Sequence, residues 1–478
     1  MDVRRRWRII PPLDQYPRAV AFAETTRGRV ALVITFGILL IPVQGKLAVA
    51  TVAAAAASAY VPAYRRWIVT VATLAFLLHD PSWYPSLSAL AATKTGIAGS
   101  INAPMLQRGM LVLFLLLAFA VICGMQRYAR RPPFNRPVFA LLALYAASLL
   151  VAASGAFGTA LEVVIWTWVG TFGAYFWFLA YALSDAASSQ RVPAAVELGG
   201  FHPFWGSSTT PIGKGWANFR RVEARDPHAL AITQLKGLKL LAWSLVLRIA
   251  YVAFHYATRH TLAIPSVEQA LTAQIAGAPL PVYLCWISLV CAFLDGVLTV
   301  SIWGHAIVAC ARLAGFRLLR NTYRPLESRT IAEFWNRYLF YFKELMVDFF
   351  FYPTFIRCFR KHRRVRLFFA TFMAACVGNV IWHFMRDVST VLDVGLTQAV
   401  VGFQTFAFYA AILAVGISMS QLRPRRGVAE AGWLRGKVLP VARVLLFFCI
   451  IEVFDDEGRI HTLPQHFALL FHLFGVSV

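Results

Sequence analysis

The sequence predicts an all-α, polytopic membrane protein, and three observations support this prediction. Hydrophobic residues make up 59% of the 478 residues and charged residues only 14%, whereas soluble domains average roughly 45–50% and about 25%. The mean hydropathy is +0.62. Uncharged runs of membrane-spanning length also recur along the whole chain. These values exclude a soluble enzyme, a disordered protein and a fibrous protein.

The uncharged runs define the candidate spans. A helix that crosses about 30 Å of hydrocarbon needs roughly 20 apolar residues, and on that basis we predict about 11–12 transmembrane helices. No run of soluble composition is long enough for a separate catalytic domain, so residues 1–478 are predicted to form a single integral membrane domain. The candidate spans are residues 30–45, 47–64, 67–78, 109–126, 137–153, 163–184, 240–258, 280–311, 367–385, 396–419, 438–454 and 467–478.

The charges predict the orientation. The chain has 46 Lys and Arg against 22 Asp and Glu, a net charge of +24. Because the basic residues form short clusters between apolar runs, they indicate cytoplasmic loops rather than a nucleic-acid surface. We therefore expect a multi-pass protein of a bacterial inner membrane, with a cytoplasmic N-terminus (residues 1–28) and a cytoplasmic loop (residues 185–236). The lipid bilayer is its predicted partner.

Residues 334–355 do not fit a topology in which every apolar stretch crosses the membrane and successive loops alternate between its two sides. This apolar stretch lies between two basic clusters, residues 312–329 and 357–366, that both belong in the cytoplasm. The stretch itself contains charged side chains, which suit a segment enclosed by protein better than a lipid-facing helix. We therefore predict that it is re-entrant, because entering and returning leaves both flanks on one side.

Standard catalytic and metal-binding motifs are absent from the sequence. There is no phosphate-binding loop, no HExxH, no GxSxG and no dinucleotide fingerprint. The seven cysteines are scattered without zinc-ligand spacing, so no metal site is predicted. His383 is the strongest single candidate, because it interrupts an otherwise uncharged stretch of its span. A neutral imidazole in an apolar cavity can accept a proton near physiological pH; a hydrogen-bonded core histidine is the alternative.

Residues 321–338 read NTYRPLESRTIAEFWNRY, Asp348-Phe349 follows, and Gly378, Trp382 and His383 close the pattern. This pattern resembles the motif of the membrane-bound O-acyltransferase (MBOAT) family, in particular its bacterial alginate O-acetylation and teichoic-acid D-alanylation proteins. The MBOAT-like core is residues 312–386. The positions that agree in register are Asn321, Pro325, Ser328, Ile331, Glu333, Phe334, Trp335 and Arg337. One position departs: Leu339 stands where the family usually has His, Asn or Asp.

The resemblance implies a ring of tilted helices around a central tunnel, and an O-acyltransferase activity. The acyl group would move from a cytosolic thioester, acyl-CoA or an acyl carrier protein, to a hydroxyl of an envelope glycan or lipid. The thioester is a co-substrate, and no bound cofactor is implied. An envelope-modification complex is a further partner that the resemblance suggests.

The resemblance also implies roles for individual residues. His383 is the expected general base, and the expected oxyanion donors are Asn379, Asn336 and Tyr338. Asn379 precedes His383 by four residues, which on a helix puts the two on one face about 6 Å apart. The expected substrate-binding residues are Trp335, Arg337, Asp348 and Trp382.

Two alternatives from other functional classes stay open at this stage. One is a transporter or flippase whose tunnel carries substrate without chemistry. The other is a catalytically silent scaffold, which Leu339 suggests.

Overall fold

The computed structural model describes residues 9–79, 87–188, 192–206, 211–423, 433–455 and 461–476, and these residues form helices without any strand. The all-α prediction is confirmed. In chain order the helices are α1 (Pro17–Glu24), α2 (Thr26–Gln44), α3 (Leu47–Tyr60), α4 (Arg65–His79), α5 (Leu87–Lys94), α6 (Ala103–Tyr128), α7 (Pro137–Ala153), α8 (Thr159–Ala186), α9 (Ala194–Phe201), α10 (Trp216–Val222), α11 (Pro227–His255), α12 (Val267–Ile275), α13 (Val282–Leu313), α14 (Ile331–Tyr338), α15 (Phe340–Met346), α16 (Tyr352–Arg357), α17 (Arg363–Phe372), α18 (Asn379–Arg386), α19 (Ser389–Val394), α20 (Leu396–Gly402), α21 (Gln404–Leu422), α22 (Leu439–Ile451) and α23 (Leu463–His472).

Within the described residues, seven helices are long and apolar enough to cross a membrane, which confirms a multi-pass membrane protein. Wider π-helical turns extend several of them, so that α11 continues to Thr261 and α17 continues into α18. The seven are Thr26–Gln44, Ala103–Tyr128, Thr159–Ala186, Pro227–Thr261, Val282–Leu313, Arg363–Arg386 and Leu396–Leu422.

The other predicted spans are shorter or bent, which accounts for the difference from 11–12. Residues 47–64 and 67–78 form a pair of helices that meet at 105°. Residues 137–153 form the 17-residue α7, and residues 438–454 contain only the 13-residue α22. Of residues 467–478, those up to 472 belong to the 10-residue α23, and 477–478 lie outside the described residues. Hydropathy detects apolar segments but cannot tell a crossing from a short helix packed inside the protein.

Parts of the predicted cytoplasmic segments also lie outside the described residues. These are residues 1–8 of the N-terminus, residues 189–191 and 207–210 of the loop 185–236, and residues 424–432.

The bend between α3 and α4 has a local cause. Val61 precedes Pro62, which disfavours the helical conformation, and its φ of −120° and ψ of 68° end α3 there. The buried guanidinium of Arg65 then binds the carbonyl oxygen of Ser58 at 2.8 Å and the carboxylate of Glu223 at 2.8 Å. The same side chain therefore satisfies a carbonyl group that the end of α3 leaves open, and it joins this bend to the chain after α10.

Helix α8 is the centre of the fold. Of its most apolar stretch, 83% is buried inside the protein, against 22–44% for the other six long helices. Aromatic rings pack along it, among them Trp166, Phe172, Phe176 and Trp177. Helices α5, α6, α7 and α9 pack around this aromatic face.

Three of the basic loops meet at one end of the helices. The chain after α13 joins the chain after α10 through Ala224 N–H donating to Gly315 O (2.8 Å) and Arg317 N–H donating to Val222 O (2.7 Å). Arg65, at the start of α4, forms an ion pair with Glu223, which lies between Val222 and Ala224. The contacts therefore bring together loops that the charge pattern assigns to one side.

Both flanks of residues 334–355 lie near the C-terminal end of α21. The N–H of Ala332, at the start of α14, donates to Ser420 Oγ at 3.0 Å. On the other flank, Thr371 in α17 donates to Gln421 Oε1 at 2.9 Å. Between the flanks, π-helical residues Val347–Phe351 join α15 and α16 into one helix, and neither this helix nor α14 is among the seven that are long and apolar enough to cross. Contact of both flanks with one end of α21 agrees with the re-entrant prediction.

The re-entrant arrangement can be tested by single-cysteine labelling in a cysteine-free background. Cysteines at Arg324 and Arg363, both exposed, should react with a membrane-impermeant thiol reagent only when the cytoplasmic face is opened. Ala278→Cys, which is exposed before α13 at the opposite end, is the control and should react in intact cells. Reaction of just one of the two arginine positions in intact cells would mean that residues 334–355 cross.

Candidate active site

The site is built around a break in the re-entrant segment. Helix α14 ends at Tyr338 and α15 begins at Phe340, because Leu339 between them has a φ of −128° and a ψ of 68°. A break frees backbone N–H and C=O groups, which hydrocarbon cannot hydrate. Four hydrogen bonds from residues 321–323 satisfy them: Tyr323 N–H to Arg337 O (2.7 Å), Thr322 Oγ1 to Tyr338 O (2.8 Å), Phe340 N–H to Asn321 O (2.9 Å) and Tyr341 N–H to Asn321 Oδ1 (3.2 Å).

Asn321 therefore has a structural role in this chain. It is buried, and it lies against Gly304 of α13, where an added Cβ would be 2.9 Å from its amide nitrogen. The glycine lets the loop approach α13 closely enough for Asn321 to reach Tyr341. This agreement with the motif is explained by backbone geometry and not by contact with a substrate.

Glu333 and Arg337 brace α14 itself. The Glu333 carboxylate accepts the N–H of Arg329 at 2.8 Å and pairs with the Arg337 guanidinium at 2.6 Å. Thr330 caps the helix by accepting the N–H of Glu333 at 3.0 Å. Arg337, expected to bind substrate, is thus held on the outer face of α14.

A cavity of about 530 Å³ lies among α13, α14, α18, α21 and α22. Four of the expected site residues line it, namely Trp335, Tyr338, Asn379 and His383. Leu339 lines it as well. The two halves of the motif, separated in the sequence by the whole re-entrant segment, therefore meet at one cavity.

Aromatic rings surround the His383 imidazole. Its ring centroid is 4.2 Å from that of Phe406 on α21 and 4.7 Å from that of Trp382. Asn379 lies one turn earlier on the same helix and is only 2% exposed. Its Oδ1 is buried and has no hydrogen-bond partner among the described residues. Leaving a buried polar group unsatisfied costs about 1–3 kcal/mol, so this oxygen is available to accept a hydrogen bond from a ligand donor.

Gly378 explains how the two motif halves come so close. A Cβ at this position would be 2.6 Å from the Phe350 ring and 2.8 Å from the Met346 sulfur, both in the re-entrant segment. Only glycine lets α18 pack directly against that segment. The motif glycine thus fixes the distance between the His383 helix and the broken segment.

Four expected site residues lie away from the cavity. Asn336 is exposed on another face of α14, and Arg337 pairs with Glu333. Trp382 packs against Phe342, at a centroid distance of 5.0 Å. Asp348 belongs to a separate ionic cluster. None of the four is among the side chains that line the cavity in the described part of the chain.

Asp348 and Glu344 form this cluster with Lys214. The Lys214 amine is 2.8 Å from Glu344 Oε2 and 2.9 Å from Asp348 Oδ2, and the Tyr181 hydroxyl donates to Asp348 at 2.9 Å. Burial alone would lower the pKa of Lys214, but its hydrogen bonds to the two carboxylates outweigh burial, and the pKa is raised. The cluster fastens the predicted re-entrant segment to the loop between α9 and α10 and to α8.

The loop that carries Lys214 is shaped for this contact. Gly213, Lys214 and Gly215 all have positive φ values, of 122°, 60° and 85°. A Cβ on Gly213 would be 2.3 Å from the Phe219 ring, and one on Gly215 would be 2.6 Å from Asp185 Oδ2. The glycines therefore allow a tight turn that places the Lys214 amine in a partly buried position.

Another part of the cavity is lined by ionisable side chains, of which the sequence singled out only Asp295, as a charge inside a predicted span. His255 Nε2 is 3.5 Å from Asp295 Oδ1, and the Arg386 guanidinium pairs with Asp387 at 2.7 Å. Because these residues come from helices spread along the chain, from α11 to α23, no spacing in the sequence links them. The ionisable residues that line this part are His255, Arg259, Glu268, Asp295, Arg386, Glu452, Asp455, His461 and His466. No cluster of His, Cys, Asp and Glu suited to hold a metal ion occurs among the described residues.

A second cavity, of about 760 Å³, opens at the end where the basic loops meet. Cationic side chains line it, including Lys239, Arg320 and Arg324. Helix α13 and the break at Leu339, with the hydrogen bonds that cap it, separate the two cavities. On α13, Gly296 and Val300 line the first cavity, whereas Val297 and Ser301 line the second.

Comparison with known proteins gives no assignment: no family model matches the chain, and no curated protein is similar to it.

The hydrogen bonds by which residues 321–323 cap the break at Leu339 can be tested by removing the Asn321 side-chain amide. Asn321→Leu leaves the buried Tyr341 N–H without its acceptor, and we expect the free energy of unfolding to fall by about 1–3 kcal/mol. Asn336→Leu, on the exposed face of α14, is the matched control and should stay within about 0.5 kcal/mol of wild type. Thermal unfolding in one detergent measures both variants. Equal stabilities would contradict the structural role of Asn321.

Proposed function

We propose that this protein is a membrane O-acyltransferase, which transfers an acyl group from a thioester to a hydroxyl of an envelope glycan or lipid. The observation that supports this most is the convergence of Trp335, Tyr338, Asn379 and His383 on one cavity. These residues come from both halves of the MBOAT-like pattern. An imidazole, an amide and a phenol around an enclosed space are the groups that acyl transfer to an alcohol requires.

The reaction would proceed through His383 acting as general base. The neutral imidazole removes the proton from the acceptor hydroxyl, and the oxygen attacks the thioester carbonyl carbon. The carbonyl oxygen becomes an oxyanion, which the Asn379 amide or the Tyr338 hydroxyl stabilises by hydrogen bonding. When the tetrahedral intermediate collapses, the C–S bond breaks and the thiolate takes the proton from the imidazolium. The products are an ester and a thiol, and neither a metal nor a bound cofactor takes part in this scheme.

The second cavity suits the thioester donor. Lys239, Arg320 and Arg324 would attract the phosphates of acyl-CoA or of an acyl carrier group. In this proposal the donor enters from the cytoplasm, and the two cavities are the halves of a tunnel within a ring of helices. The N-terminus is then cytoplasmic, the membrane is the bacterial inner membrane, and 11–12 segments enter or cross it, the short helices included. An envelope-modification complex is a fitting partner for such a protein.

Leu339 supports a second candidate function, a catalytically silent scaffold. It brings an apolar side chain to the cavity at the position where the family has a polar one. A scaffold, like a transporter or flippase, would leave a thioester intact.

The central test is His383→Ala in a thioester-cleavage assay. Purified wild-type protein should consume radiolabelled acyl-CoA, and the variant should be slower by about 10²–10⁴-fold, the usual loss of a general base. His362→Ala, in the exposed cytoplasmic loop, is the control and should retain activity. Thermal stability of the His383 variant should be nearly unchanged. Full activity of His383→Ala would disprove its role, and an intact thioester with wild-type protein would favour the scaffold or the transporter.

Asn379 can be compared with Asn336 in the same assay. Asn379→Leu should lower the turnover rate by about 10²-fold or more, the typical effect of losing one oxyanion donor, with less effect on donor binding. Asn336→Leu should be close to wild type, because that amide points away from the cavity. The reverse result would place the oxyanion donor in the first half of the motif.

A further inference from the structure

The apolar Leu339 leaves the cavity wall beside α14 without the polar group that the resemblance implies. Any substitute must lie on the same cavity, near His383, and must carry a hydrogen-bond donor. Asn336 lies on another face of α14 and Asp348 is held by Lys214. Neither residue can therefore supply this group.

Tyr409 on α21 meets these conditions. It lines the cavity, and its ring stacks on Phe406, with a centroid distance of 5.5 Å. Phe406 in turn lies 4.2 Å from the His383 imidazole. Tyr409 therefore lies one helical turn from Phe406, on the side of the cavity formed by α21. Tyr409 itself is only partly buried, because one part of it faces the cavity.

Tyr338 is the other phenol of the cavity, and its ring has different neighbours. It packs against Phe334, at a centroid distance of 5.2 Å. A Cβ added to Gly296 would be 3.5 Å from its hydroxyl oxygen, so the Tyr338 hydroxyl lies beside α13. The Tyr409 ring instead stacks on Phe406, the ring that lies 4.2 Å from the His383 imidazole.

We propose that the Tyr409 hydroxyl supplies the hydrogen bond that Leu339 cannot make, by donating to the thioester carbonyl oxygen as it becomes an oxyanion. This assignment rests on the proposed acyltransferase function. A phenol is a neutral hydrogen-bond donor under physiological conditions. It gives a hydrogen bond without losing its proton, and His383 still carries the proton from the acceptor hydroxyl to the leaving thiolate.

The test is Tyr409→Phe in the full-length protein, which removes one oxygen and keeps the ring on Phe406. Tyr145→Phe is the matched control: this tyrosine is buried in α7 against Phe172 and Phe176, away from the cavity. With radiolabelled acyl-CoA, Tyr409→Phe should lower kcat by about 10²-fold and leave KM for the donor within about twofold. Tyr145→Phe should match wild type in both.

The outcomes separate the two proposals. If wild type and Tyr145→Phe cleave the thioester and Tyr409→Phe does so equally well, the assignment of Tyr409 is wrong and the acyltransferase function stands. A change confined to KM would also overturn it, because the hydroxyl would then act in binding and not on the oxyanion. If wild type is inert while correctly folded by thermal unfolding, the proposed function fails, and the assignment fails with it.

Discussion

The requirement that no backbone polar group be left unsatisfied in the membrane governs the centre of this structure. A break at Leu339 would be costly in hydrocarbon, yet four hydrogen bonds join residues 321–323 to backbone groups on its two sides. The break ends α14, the helix on which Trp335 and Tyr338 face the cavity and Asn336 faces outward. The cap therefore holds in place the helix that carries the first half of the motif.

Two further contacts hold the broken segment in place. Lys214 binds its carboxylates from the loop between α9 and α10, and Gly378 lets α18 pack directly on its aromatic side chains. Charge pairs that are partly buried cost desolvation energy, so their value here is in fixing position more than in adding stability. Because α18 carries His383, the position of the imidazole depends on a glycine and a lysine that never touch the cavity.

Hydropathy was sufficient to locate all seven long apolar helices, and charge placement predicted that residues 334–355 return to the side from which they enter. The predicted number of spans, 11–12, is higher than seven because α7, α22 and α23 are apolar but short, and because Pro62 bends α3 and α4 into one pair. At the site, the sequence pattern located Asn379 and His383 on one face of a helix. It could not place Arg337 or Asp348, whose partners Glu333 and Lys214 appear only in the folded chain. Tyr409 carries no sequence signal at all, since the position of Phe406 and Tyr409 beside His383 depends on how α21 packs against α18.

The cap also explains how a leucine can occupy position 339. All four hydrogen bonds across the break involve backbone groups of the neighbouring residues, and the Leu339 side chain contributes to none of them. The fold therefore does not constrain the chemistry of that side chain, provided that it can line the cavity. An apolar side chain there leaves no backbone polar group without a partner, in contrast to Asn321, whose loss would strand a buried N–H. In the proposed mechanism, a donor on another wall of the same cavity can therefore act without any change in the backbone.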